Sequence, residues 1–167
     1  MKRRFPDLTG LNRMNLKETV KSERIRRLDL SFYVEVQQGA LVGEVIEKMQ
    51  ANNRKCALIL DGNSLVGIFT AHDIRDHTGD TGALSKPIES VMTADPETID
   101  GNASLAQAIA FLNTKPYRYL PVMNKEGHVM GTLTHFAILK YISDYFPEDI
   151  YNLPPEPDQI ATARDGA

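Results

Sequence analysis

Cysteine is nearly absent from the 167-residue sequence, which contains only Cys56. A single thiol excludes a disulfide within one chain and any metal site built from a cluster of cysteines. Cys56 begins the apolar run at 56–60 (CALIL), a composition typical of a buried strand. We therefore expect a small buried thiol at this position.

A strong charge of either sign is also lacking. The 19 basic and 22 acidic residues leave a net charge of −3, which is too weak to draw the whole protein onto nucleic acid or an anionic membrane. Any anion site must therefore be local. With 42% hydrophobic and 25% charged residues, the composition is that of a globular protein and excludes wholesale disorder, collagen-like repeats and coiled coils.

Long apolar runs are missing as well. None approaches the ~20 residues that cross a bilayer. Residues 1–4 (MKRR) resemble the basic start of a signal peptide, but residues 5–7 (FPD) follow and no apolar stretch comes after them. The sequence therefore predicts a cytoplasmic protein without a membrane partner.

What the sequence does contain is an internal repeat at an offset of 64 residues. Residues 67–70 (GIFT) align with residues 131–134 (GTLT). Further pairs at this offset, which include identities and conservative apolar exchanges, are Leu41/Leu105, Val45/Ile109, Arg54/Arg118, Leu58/Val122, Leu65/Val129 and Ile74/Ile138. Apolar positions match wherever the secondary structure requires them, which indicates a tandem duplication.

Each copy is predicted to be a strand-helix-strand-strand-helix unit, an α/β arrangement. In the first copy, residues 30–36 alternate as one half-buried strand, and apolar residues then recur at helical spacing. Two strands around the turn at 61–63 (DGN) form a hairpin, and a helix follows Thr70. The predicted boundaries are residues 30–82 for the first unit and 83–146 for the second.

Two flanks lie outside the repeat. Residues 15–18 (NLKE) have the form of a capping box that opens a helix to about Arg27, so residues 1–29 are predicted to be a helical flank used for packing or dimerisation. Residues 147–167 are rich in proline and end in small and polar residues that form no core.

The repeated motifs resemble those of cystathionine β-synthase (CBS) domains. Residues 67–73 (GIFTAHD) match the family pattern of Gly, two apolar residues, Thr or Ser, any two residues and Asp. Residues 119–122 (YLPV), ahead of residues 131–134, resemble the second copy of a CBS pair. The resemblance implies tandem CBS domains stacked through their sheets about a pseudo-twofold axis. It also implies clefts that commonly hold adenine nucleotides and regulate attached or partner proteins.

Thr70 and Asp73 allow two interpretations. Thr70 falls where a strand passes into a helix, a place whose unpaired amides and dipole suit a phosphate, and the family assigns Asp73 to the ribose hydroxyls. Alternatively, Thr-x-x-Asp resembles a capping box that only closes the helix. Gly67 permits a close backbone approach or marks a bulge. The duplication favours the ligand interpretation.

The second copy departs from the family pattern. Thr134 is present, but Ala137 stands where the first copy has Asp73, so carboxylate capture of ribose is expected only in the first cleft. Arg54 and Arg118 occupy equivalent positions before their strands, where the family often places basic residues that reach phosphates; the alternative is a solvated surface arginine. We predict two unequal sites, with the first cleft dominant.

Catalysis and metal binding are weakly indicated. His72 and Asp76 share a helix face, but His77 diverges from them, and no triad or nucleophile-elbow motif accompanies the four histidines. The sequence predicts no metal site and no enzyme.

The sequence therefore predicts a non-enzymatic regulatory CBS pair that binds an adenosine-containing ligand of the AMP, ADP or ATP class and signals to an effector protein. No further cofactor and no nucleic-acid partner are expected. A homodimer is expected because the last helix carries more apolar residues than one sheet can cover. The alternative is a ligand-free structural or interaction module that dimerises.

Overall fold

The computed structural model describes residues 16–76, 82–114 and 117–147. Its helices and strands, in chain order, are α1 (Leu16–Ser22), β1 (Val34–Gln37), α2 (Val42–Ala51), β2 (Cys56–Asp61), β3 (Ser64–Thr70), α3 (Ala71–Asp76), β4 (Thr93–Ala94), β5 (Ile99–Asp100), α4 (Leu105–Thr114), β6 (Leu120–Met123), β7 (Val129–Leu133) and α5 (His135–Tyr145). Short 3-10 turns occur at Ile25–Arg27, Ala83–Ser85 and Ile88–Ser90.

The strands form two sheets that repeat one plan. The first sheet has the order β1-β2-β3-β4 and the second the order β5-β6-β7. In each sheet the opening pair is parallel, because a helix connects the two strands, and the following hairpin is antiparallel. The predicted strand-helix-strand-strand-helix unit and its duplication are confirmed.

The two sheets pack against each other through a small apolar layer. β2 is buried on both faces: Ala57 and Ile59 point into the core of the first unit, whereas Cys56 and Leu58 point the other way. The second group packs with Ile68 and with partly buried residues of the second sheet, including Val129. This layer confirms the predicted stacking of the units through their sheets.

The predicted single strand over residues 30–36 is wrong. Leu30 is buried in the core of the second unit, and its carbonyl oxygen accepts a 3.0 Å hydrogen bond from the Thr132 amide in β7. Val34 begins β1 and lies in the core of the first unit. Alternating apolar residues satisfy both cores, so the chain crosses from one unit to the other within an unbroken sequence pattern.

The second unit in turn contributes a strand to the first sheet. Its β4 pairs with β3 of the first sheet, where Gly67 lies opposite Ala94. Ile88 and Val91 precede β4 and are buried in the first core. The domain boundary between residues 82 and 83 remains a prediction, and residues on its C-terminal side help to build the first unit.

The N-terminal flank packs on the second unit. α1 ends at Ser22, earlier than the predicted Arg27, and Ile25 then inserts into the second core. The Ile25 amide donates to the Ala103 carbonyl at 3.1 Å, and the Tyr141 hydroxyl donates to the Glu23 carboxylate at 2.7 Å. The predicted cap at residue 15 and the tail from residue 148 onward lie outside the described residues.

Candidate ligand-binding site

A cavity of about 490 Å³ opens between the two units at the start of α5. Residues of the first unit, of the second unit and of the crossing segment around Phe32 contribute to its wall. The lining residues are Phe32, Asn53, Arg54, Lys55, Arg118, Tyr119, Thr134, His135 and Phe136.

Thr134 caps the helix that begins at the cavity. Its extended backbone follows the end of β7, and its hydroxyl oxygen accepts a 3.0 Å hydrogen bond from the Ala137 amide. α5 has 11 residues, so the aligned peptide dipoles place partial positive charge at this end. The remaining amides of the first turn are suited to an anion.

Basic side chains add full positive charge to the same cavity. Arg54 and Lys55 reach it from the start of β2, and Arg118 reaches it from the segment before β6. Among the described residues that line the cavity, none is acidic. The arrangement therefore attracts an anion and has no carboxylate to hold a sugar diol.

Aromatic side chains form the apolar part of the wall. The rings of Phe32 and Phe136 meet edge to face with centroids 5.6 Å apart. Tyr119 is half-buried beside them, and burial raises the pKa of its hydroxyl, which therefore stays neutral near pH 7. Flat apolar surface beside fixed positive charge suits a ligand with an aromatic ring and a phosphate.

Three of the six predicted site residues meet in this cavity, namely Arg54, Arg118 and Thr134. The other three, Gly67, Thr70 and Asp73, lie outside its wall. The predicted close approach at Gly67 exists, but it is made by the protein's own Met92 side chain. A Cβ added at Gly67 would overlap the Met92 sulfur.

Thr70 and Asp73 form the half of a capping box in which the acidic side chain bonds back to the amide of the capping residue. The Asp73 carboxylate accepts from the Thr70 amide at 2.7 Å and from the Thr70 hydroxyl at 2.8 Å. The Thr70 hydroxyl oxygen in turn accepts from the His72 amide at 3.2 Å. The Oδ2 atom of Asp73 is therefore already bonded within the protein, whether Asp73 serves only as a helix cap or also binds a ligand.

The second copy differs from the first in burial as well as in sequence. Ala137, the counterpart of Asp73, is 1% exposed and packs in the second core. An aspartate at this helix position is expected to be costly, because its side chain would enter an apolar core.

Sequence reasoning missed Phe32 and Phe136 as candidate site residues. Phe32 was assigned only to a strand, and its role depends on the crossing of the chain between units. Phe136 follows the Thr134 cap by two residues, at the position that His72 occupies in the first copy. A bulky aromatic residue in the first turn of a capped helix is the signal that could have identified Phe136 as a site residue.

Other chemistry finds little support in the described ranges. The Nδ1 atom of His72 lies 3.0 Å from the Asp76 carboxylate in an exposed contact, and residues 16–76, 82–114 and 117–147 hold no group of three potential metal ligands. His77 lies outside them. Cys56 is fully buried, and burial raises the pKa of its thiol, which keeps it protonated. Within the same ranges, no helix combines the length and apolarity that a membrane crossing requires.

Comparison with protein families matches the CBS domain twice, over residues 31–79 and 88–144. The matches cover more than half of the chain, and the chain belongs to the CBS domain family as a tandem pair.

Solved structures of other CBS proteins share this fold. The CBS domain pair of protein MJ0100, in complex with 5′-methylthioadenosine and S-adenosylmethionine, has a TM-score of 0.63 at 20% identity, over 72% of this chain and 99% of that one. The CBS-domain protein ATU1752 of Agrobacterium tumefaciens has a TM-score of 0.59 at 20% identity, over 65% of this chain and 88% of that one.

Curated relatives match in sequence over a part of their length. A protein named as a probable arabinose 5-phosphate isomerase of Haemophilus influenzae is 38% identical over 77 residues, which are 45% of this chain and 23% of the relative. An uncharacterized protein of Methanocaldococcus jannaschii, MJ1232, is 28% identical over 95 residues, 57% of this chain and 31% of the relative. The chain therefore spans less than a third of either relative.

Proposed function

We propose that this CBS pair is a non-enzymatic regulatory module that binds an adenosine-containing phosphate ligand of the AMP, ADP or ATP class in the cavity at Thr134. The observation that carries the proposal is the joint presence of Arg54, Arg118 and a helix N-terminus in one cavity whose remaining wall is largely aromatic. A phosphate would meet the arginines and the helix, and a base would lie on the rings.

The size of the cavity and a structural relative support this ligand class. A volume of about 490 Å³ suits a ligand of nucleotide size. The MJ0100 pair was solved with two ligands that contain adenosine. In the present cavity the positive charge favours phosphate over the sulfonium cation of S-adenosylmethionine, since like charges repel.

The non-enzymatic part of the proposal rests on the state of the candidate nucleophile. Cys56 is buried between the sheets, and its raised pKa keeps it from forming the reactive thiolate. The isomerase relative carries no argument for isomerase activity here, because the match covers 23% of its length.

Titration calorimetry with AMP, ADP, ATP and S-adenosylmethionine tests the proposal. Arg118→Ala removes one charge-assisted hydrogen bond, worth roughly 1.5–3 kcal/mol, and should weaken nucleotide binding about ten- to a hundredfold. Lys125→Ala is the matched control, because Lys125 is also exposed and cationic but lies on the β6–β7 turn outside the cavity wall. Equal loss in both variants, or no binding by the wild type, would contradict the proposal.

We retain the first cleft, with Gly67, Thr70 and Asp73, as a second proposed site. Its support is the half-buried Asp73 carboxylate at the junction of β3 and α3, where it lies one turn from Thr70. A ligand there would exploit the carboxylate that the second copy lacks. The predicted dominance of this cleft remains a prediction.

The alternative proposal is a structural module that dimerises without a small molecule. Its support is a set of exposed apolar side chains on α5, namely Phe136, Leu139 and Tyr145, which are 60%, 63% and 56% exposed. A homodimer is compatible with both proposals, because exposed apolar side chains are favourable places for contact with a second chain. The effector protein, the cytoplasmic location and the lack of nucleic-acid or membrane partners also stay predictions.

A further inference from the structure

Arg54 makes three contacts with the protein although it lines the cavity, and one of them is a 3.4 Å hydrogen bond from its Nη1 to the carbonyl oxygen of the adjacent Asn53. Its Nε–H donates a 2.8 Å hydrogen bond to the carbonyl oxygen of Ser31. Its guanidinium carbon lies 5.8 Å from the centroid of the Phe32 ring, within the range of a cation–π contact. Ser31 and Phe32 both belong to the segment that crosses between the units.

The crossing segment, residues 30–32, is docked on the second unit at each of its residues. Leu30 is buried in the second core, and its carbonyl accepts from the Thr132 amide at 3.0 Å. Ser31 forms a bridge with Thr132, and Phe32 packs on Phe136. Arg54 belongs to the first unit, so its contacts with Ser31 and Phe32 link that unit to the docked segment.

An anion in the cavity would compete with Ser31 and Phe32 for the Arg54 guanidinium. A phosphate that binds the guanidinium side-on, through Nε–H and one Nη–H, forms two charge-assisted hydrogen bonds and needs the Nε–H that is now bonded to the neutral carbonyl of Ser31. The segment would then lose its link to the first unit, whereas its contacts with Thr132 and Phe136 would remain.

We propose that anion binding draws Arg54 from Ser31 and Phe32, so that occupancy of the cavity is coupled to loosening of residues 30–32. The inference rests on the proposed function. Coupling between two equilibria is reciprocal, so a variant that weakens the hold on Arg54 should bind the anion more tightly. The N-terminal flank precedes this segment directly and would transmit the change.

Inorganic tripolyphosphate is the probe, because it has no base to stack on Phe32. Phe32→Leu keeps apolar bulk but removes the aromatic face, and should tighten tripolyphosphate binding about two- to fivefold, the change that corresponds to loss of a cation–π contact. Phe111→Leu makes the same change in α4, outside the cavity wall, and should bind as the wild type does. Equal or weaker binding by Phe32→Leu would overturn the coupling.

Hydrogen exchange of the wild type provides a test that needs no variant. Saturating tripolyphosphate should speed amide exchange at residues 30–33, whereas the Thr132 amide, which stays bonded to Leu30, should exchange at its original rate. Arg118→Ala, which touches none of the segment's contacts described above, should show the same increase once saturated. Binding with unchanged or slower exchange would overturn the coupling and leave the proposed function intact. Absence of both ATP and tripolyphosphate binding would overturn both.

Discussion

The carboxylate of Asp73 accepts hydrogen bonds from both the amide and the hydroxyl of Thr70, at 2.7 and 2.8 Å. This pair closes the first turn of α3 from within the protein. We expect Asp73→Ala to lower the free energy of unfolding by about 1–2 kcal/mol, since a capping side chain is lost. Urea denaturation measures the change, and Asp76→Ala in the same helix is the control.

The same residue carries the prediction about ribose. If Asp73 also holds a ribose diol, the wild type should prefer a ribonucleotide to its 2′-deoxy analogue, and Asp73→Ala should hardly distinguish them. Loss of one or two charge-assisted hydrogen bonds predicts about a ten- to several-hundredfold weaker affinity. Calorimetry that finds equal discrimination in both proteins would identify Asp73 as a helix cap alone.

Ala137 is expected to resist the substitution that would imitate the first copy. The side chain is 1% exposed within the second core, so Ala137→Asp places a carboxylate among apolar groups. We expect it to destabilise the protein by at least about 1 kcal/mol more than Ala110→Asp, which makes the same change at an exposed position of α4. Equal denaturation midpoints for the two variants would show that Thr134 accommodates the new carboxylate as a cap.

The sequence allowed the duplicated unit to be predicted because helical and strand periodicities report which residues are buried. They do not report which core receives each residue. Leu30 and Val34 have the same parity in an alternating pattern, yet they enter different units. The crossing depends on long-range pairing with Thr132, which no local pattern encodes.

In the candidate site, too, local patterns predict some residues, whereas others depend on long-range packing. Arg54, Arg118 and Thr134 were found because the repeat places them at equivalent, chemically suggestive positions. Phe32 and Phe136 were missed because their contact exists only after the crossing segment docks on α5. A motif can therefore predict the charged groups of a cleft, whereas the apolar wall depends on how the two units exchange segments.

Gly131 and Gly67 should differ in their tolerance of a methyl group. Gly131 has φ of +147°, and an added Cβ would overlap the Leu30 carbonyl oxygen, which is fixed backbone. Gly131→Ala should therefore cost more than about 2 kcal/mol of stability. At Gly67 the obstacle is the flexible end of Met92, so Gly67→Ala should cost about 1 kcal/mol.

Double variants distinguish an overlap with a flexible side chain at Gly67 from an overlap with fixed backbone at Gly131. Met92→Ala should absorb most of the cost of Gly67→Ala, because the two side chains occupy the same space. No comparable rescue is expected for Gly131→Ala with Leu30→Ala, since the backbone oxygen remains. Thermal denaturation of the four single and two double variants provides the comparison, and additive losses at Gly67 and Met92 would contradict it.

Asp29 should make stability depend on pH in the acid range. Hydrogen bonds from the Ser31 hydroxyl and amide, at 2.7 and 3.1 Å, lower the pKa of its carboxyl below the ordinary value, with smaller contributions from Lys140 and Arg54. A depressed folded-state pKa stabilises the fold above the unfolded-state value, about 3.9, and this contribution is lost as the pH falls through the lower folded-state value. The stability difference between wild type and Asp29→Asn should therefore be constant from pH 5 to 8 and shrink below about pH 4. Urea denaturation across this range measures it, and a gap that stays constant to pH 2 would exclude the mechanism.

Leu139 should control the oligomeric state. It is 63% exposed on α5, and a homodimer that covers the exposed apolar side chains on this side of the helix would bury it. Leu139→Glu would then place a charge in the interface, and light scattering should report a change from twice the chain mass of 18.7 kDa to a single chain mass. Ala110→Glu on α4 introduces the same charge at another exposed helix position and should leave the dimer intact. A wild-type mass of one chain would refute the homodimer, whereas a dimer that persists in Leu139→Glu would place the interface on another surface.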